Sequence, residues 1–162
     1  MRLLISFISI VIVAAGANSQ PKRIAKCGDL DEKTRGLIAE YQSLRERRRQ
    51  LPEGSFDRDL SADGGRLSSV LSKLGTELGH PPVTTKVLTG CMGKPDAIRD
   101  HKRMQHLLDI YYRHLRDSGS TLPVSPDRKY LIYFWRSWHD FIFFISEDGI
   151  IIDHGWWFAY EV

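Results

Sequence analysis

The last fifth of the chain decides its architecture. Four runs there are dominated by β-branched and aromatic residues: Tyr130-Leu131-Ile132-Tyr133-Phe134-Trp135, Phe141-Ile142-Phe143-Phe144-Ile145, Ile150-Ile151-Ile152 and Trp156-Trp157-Phe158-Ala159-Tyr160. The breaks at Arg136-Ser137-Trp138 and Glu147-Asp148-Gly149 are turn-sized, so the simplest reading is a three-stranded antiparallel meander. All four tryptophans and 12 of the 17 aromatic residues lie here. The runs are apolar on both parities, Leu131, Tyr133 and Trp135 against Ile132 and Phe134, so both faces of the sheet need cover. The expectation is helices laid on one face. The second face is then covered by the first helical pair, or by a partner, a dimer mate or an apolar ligand.

Upstream the period changes from two to that of a helix. Asp29 with Glu32 three residues on reads as a capping-box start, and Leu37, Ile38, Tyr41 and Leu44 predict a first helix over about 30–50. Pro52-Glu53-Gly54-Ser55 ends it, and the stretch to Gly65 reads as a loop tethered to the core by Phe56 and Leu60. Leu67, Val70, Leu71, Leu74 and Leu78 predict a second helix that stops at Gly79, before Pro81-Pro82. Thr84 or Thr85 caps a short third helix carrying Val87, Leu88, Cys91 and Met92. Met104, Leu107, Leu108, Tyr111 and Leu115 predict a fourth over about 97–117, followed by a Ser/Thr/Pro connector to 128. About four helices followed by a sheet define an α+β fold.

Residues 1–19 read as a signal peptide. Arg2 precedes an apolar stretch, Leu3 to Ala15, that is shorter than the roughly 20 residues needed to span a bilayer. Ala15-Gly16-Ala17 offers small residues for cleavage after Ala17, with Ser19 as second choice. Residues 20–162 then form one secreted, extracellular domain without a stable membrane anchor. Cys27 and Cys91 are the only cysteines. In an oxidising route an even count predicts one disulfide, closing a loop of about 65 residues and stabilising the fold by about 4 kcal/mol. Pro21-Lys22-Arg23 resembles the kexin-type processing sites of secreted fungal proteins.

Loss of Arg2 takes the formal charge from +3 to +2, which is no nucleic-acid footprint. Arg45-Glu46-Arg47-Arg48-Arg49 is the one dense basic run. Its residues fan around a helix, and it reads as a solvated end whose cations complement the C-terminal dipole.

Thr84-Thr85-Lys86-Val87-Leu88, then Gly93-Lys94-Pro95-Asp96-Ala97-Ile98, and later the hairpin ending in Asp148-Gly149-Ile150-Ile151, resemble the BamE (SmpA/OmlA) type of small envelope module over 84–98 and 129–160. That resemblance implies an α+β fold and an interaction role as a structural cell-envelope component. The chain departs from the pattern in lacking the lipidated cysteine and in the two helices that precede the module. A further helix of about 20 residues separates the turn from the sheet.

Two His/Asp pairs, His139-Asp140 and Asp153-His154, sit near ends of neighbouring predicted strands. With the hairpin in register around 147–149, residues 140 and 156 lie opposite and His139 approaches His154. Such a cluster suits a divalent metal or general acid-base chemistry in a small secreted hydrolase or metal-dependent enzyme. Adjacent strand residues point to opposite faces, however, so each pair serves one site only across a bulge. The alternative is imidazoles hydrogen-bonded at strand ends. No G-x-S-x-G, H-E-x-x-H, P-loop or dinucleotide fingerprint is present, and no cofactor or metal is assigned. His101, His106 and His114 are spaced by five and eight and read as surface residues.

By elimination the sequence points to a small secreted, non-enzymatic binding protein. Its partner is then a protein of a host or neighbouring cell, as for a fungal effector acting in virulence. Trp135, Trp138, Trp156 and Trp157 are the candidate binding residues. Trp156 and Trp157 are adjacent, so one of them must leave the main core.

Overall fold

The computed structural model describes residues 24, 26–52, 54–113, 125–136 and 139–159. The expected signal segment 1–19, the Lys22-Arg23 pair and Trp138 lie outside them.

A 3-10 turn at Cys27–Asp29 leads into α1, Glu32–Gln50, whose N-cap is Asp31 rather than Asp29. The Asp31 carboxylate accepts from the Thr34 N–H at 2.8 Å, satisfying one of the donors that a helix start leaves unpaired. After α1 the chain is not all loop: a one-turn helix, α2, spans Arg58–Ser61 and buries Leu60. Phe56 is no tether, being 75% exposed. Next come α3, Arg66–Leu78, closed at Gly79, and α4, Thr85–Met92, with the Thr84 hydroxyl accepting from Val87.

The fourth predicted helix starts too early. Ala97–Asp100 is instead a strand, β1, paired antiparallel with β2, Lys129–Phe134, and α5 covers His101–Arg113. The Asp100 carboxylate accepts from the Arg103 N–H at 2.9 Å, which sets the helix start. The sheet therefore has four strands in the order β1-β2-β3-β4, with β3 at Asp140–Glu147 and β4 at Ile150–Phe158.

Helices cover both faces of the sheet, the first helical pair serving one face as one of the expected arrangements had it. On one side Leu131, Tyr133, Trp135, Ile142 and Phe144 join the apolar stripes of α1, α3 and α4. On the other, Tyr130, Ile132, Phe141, Phe143 and Trp157 pack with Met104 and Leu108 of α5. This is why the strands are apolar on both parities. Each large side chain so buried contributes roughly 1.5–3 kcal/mol.

The basic run on α1 is a clamp. Arg45 donates to the carbonyls of Met92 (3.1 Å) and Lys94 (2.9 Å) and to Asp96 (2.7 Å), with Tyr41 and Tyr133 rings under its guanidinium. Arg48 donates to the Phe134 carbonyl at 3.0 Å, and Arg47 pairs with Asp57 and Asp59. Cys27 and Cys91 form the expected disulfide, tying the start of the chain to α4 with Cα atoms 5.5 Å apart. No helix among the described residues is long and apolar enough to cross a membrane.

Candidate functional site

The β3–β4 hairpin sets the geometry of every polar residue singled out above. Its turn has two residues, Asp148 and Gly149, both at positive φ (49° and 76°), where the twist of the strands favours such a turn. A register shift at Ile145/Ser146 then adds one more residue on the β4 side. Asp140 consequently faces Phe158, not residue 156, and Ile142 faces Trp156.

The two His/Asp pairs are spread along the hairpin. Asp153 lies opposite Ile145 and His154 opposite Phe144, whereas His139 lies beside Ala159, whose N–H donates to its carbonyl at 2.7 Å. Asp140 is buried, paired with Arg136 Nε at 2.6 Å. Its Oδ1 has no hydrogen-bond partner among the described residues. The Asp153 Oδ1 accepts from the His154 N–H at 2.8 Å. The His154 ring lies against Gly75 of α3 and Gly79 at its end, and 6.3 Å from the Phe144 ring. Among the described residues no group of three or more His, Cys, Asp or Glu side chains is placed to hold a metal ion. His101 on α5 meets the Tyr130 hydroxyl at 2.9 Å.

The tryptophans divide by strand parity. Trp157 points to the α5 face and stacks on Phe141 at 6.4 Å. Trp135 is buried on the opposite face, and its Nε1–H donates to the Leu60 carbonyl at 3.0 Å, which holds α2 down. Arg136 covers its ring, the guanidinium carbon 4.2 Å from the centroid. Trp156 is only partly buried, and it stacks on Phe158 two residues along, with centroids 5.4 Å apart and planes within 8°. Trp135 stands perpendicular to both, at 6.3 and 6.2 Å.

An open groove of about 460 Å³ runs between this aromatic group and the first half of α3. Trp156, Phe158 and the buried Trp135 form one wall, and Ser68, Ser69, Ser72 and Lys73 form the other, closed by Asp63-Gly64. Ser68 and Ser72 are four apart on α3, in line with Gly75 and Gly79, so the helix turns one stripe of small side chains toward β4. Small residues beside a row of leucines are the trace that this wall leaves in the sequence. Phe158 and the serines were not foreseen as site residues, because alone they read as a strand aromatic and a solvated helix face. The groove joins an aromatic surface to hydroxyls, one amine and one carboxylate.

Comparison of the chain with protein-family models, curated proteins and solved structures found no match.

Proposed function

We propose that this is a secreted, non-enzymatic binding protein and that the α3–β4 groove is its binding surface. The observation that carries the reading is the Trp156–Phe158 stack, left partly exposed at an open groove while Trp135 and Trp157 are buried. A partly exposed tryptophan beside polar groups has the makings of an anchor, since aromatic residues dominate the energetics of protein interfaces. The apolar stretch after Arg2 and the Cys27–Cys91 disulfide fit a route outside the cytosol, with a protein of a host or neighbouring cell as partner and an effector-like role.

The test is parallel capture from neighbouring-cell extracts by the wild-type chain, Trp156→Ala and a variant altered at exposed Phe56. The reading requires a species retained by the wild type and the Phe56 variant and lost with folded Trp156→Ala.

A further inference from the structure

Among the described residues, the edge of the sheet at β4 is closed in some places and open in one. At the start of the strand, Thr84 bridges Ile150 and the Ile151 N–H donates to the Val83 carbonyl at 2.8 Å. Further on, the His154 N–H is taken by the Asp153 carboxylate, so a side chain stands where a neighbouring strand would. The Ala159 N–H points inward to the His139 carbonyl, and alternation along a strand then turns the N–H and C=O of Trp156 and Phe158 outward. The same alternation turns the His154 N–H outward, in agreement with its bond to Asp153. For the outward groups of Trp156 and Phe158 the described residues supply no partner. These are also the two β4 residues whose side chains line the groove. Among the described residues, backbone groups without a partner and a receptive side-chain surface therefore coincide at Trp156 and Phe158.

We propose that an extended segment of the partner protein adds to β4 as a fifth strand along residues 155–158, with alternate side chains entering the groove. This rests on the groove being the binding surface and specifies how the partner is held: main-chain hydrogen bonds give affinity and the groove selects side chains. Lys73 and Asp63 leave the lining formally neutral and Trp135, Trp156 and Phe158 supply its aromatic wall, which favours apolar entering side chains. A second copy of this chain is a poorer occupant. The open stretch is shorter than an ordinary strand of about five or six residues and suits a short extended segment. A longer edge-to-edge pairing would also run into Asp153, whose carboxylate already holds the His154 N–H.

The experiment selects binders to the chain from a displayed library of random peptides, then follows amide exchange at Trp156 and Phe158 with and without a selected peptide. Expected are peptides with apolar residues at alternate positions and exchange at both amides slowed at least about tenfold on binding. Phe158→Pro removes an outward N–H without breaking the ladder to β3, so it should weaken binding about tenfold more than Phe158→Ala. Unchanged exchange at both amides overturns strand addition, even if the proline variant does not fold. So does equal binding by the two Phe158 variants, although loss of binding in Trp156→Ala would then still keep the groove as the surface. Recovery of no peptide, or a concentration-dependent dimer through β4 in its place, also overturns it. Full binding by Trp156→Ala removes the groove and the added strand together.

Discussion

The imidazole of His154 occupies the space that a side chain at Gly79 would need: a Cβ built there falls 2.2 Å from Nδ1 and 2.3 Å from the Gly75 carbonyl oxygen. Gly75, one turn earlier on α3, leaves 2.6 Å between such a Cβ and His154 Cδ2. The two glycines form a slot at the C-terminal end of α3 that lets the helix lie close on β4, and this contact fixes the groove wall relative to the Trp156–Phe158 stack.

Gly79→Ala should therefore lower stability by about 1–3 kcal/mol, the usual cost of overpacking. Denaturant unfolding of Gly79→Ala, His154→Ala and the double variant checks the cause. The double variant should recover part of the loss, because removing the ring empties the slot, whereas strict additivity would mean that the strain lies in the backbone alone.

The disulfide closes a loop across 64 residues of sequence. Cys27→Ser should cost about 4 kcal/mol in the chain-entropy picture. The midpoint of denaturant unfolding for the variant, set against the wild type with its bond intact, measures it. A midpoint that does not move would mean that the start of the chain is held by its other contacts.

Two phenols make the fold sensitive to alkali. Burial pushes the ionisation of Tyr41 and of Tyr133 above the ordinary tyrosine value, the more so for Tyr133 because Tyr41 is near. A group that is harder to deprotonate in the folded chain gives stability that is complete below about pH 10 and lost as pH rises toward the folded value. Above pH 10 the free energy of unfolding should fall by up to about 1.4 kcal/mol per pH unit for each phenol. Tyr41→Phe and Tyr133→Phe should each flatten that limb when unfolding is followed between pH 8 and 12. The limb would keep its slope in both variants if other groups set it.

Much of the fold was legible because its signals are local. The leucine row of α3, the Thr84 cap and the Asp148-Gly149 hairpin each sit within a few residues of sequence, and two cysteines admit only one pairing. β1 was missed because four residues, Ala97 to Asp100, are too short to show alternation, and the helical pattern of α5 was read back across them. Asp100, a good N-cap, marked the true boundary. The arginine run was misread because its partners, Asp57, Met92, Asp96 and Phe134, are brought to it only by the fold. Of the tryptophans singled out, Trp135 and Trp156 line the groove and Trp157 packs on the other face; the strand register was not legible. A turn shorter by one residue than expected, together with the bulge at Ile145/Ser146, moved Asp140 from Trp156 to Phe158.

The central claim is that Trp156 serves binding while Trp135 serves the fold, and one comparison tests it: affinity for the captured partner and thermal midpoint, measured together for Trp156→Ala and Trp135→Ala. Trp156→Ala should weaken binding by about 2 kcal/mol, roughly 30-fold, with a midpoint within a few degrees of wild type. Trp135→Ala should lose about 3–5 kcal/mol of stability, because it empties a buried site and leaves the Leu60 carbonyl without its donor. A Trp156→Ala chain that binds as tightly as wild type, or that loses as much stability as Trp135→Ala, would contradict the account.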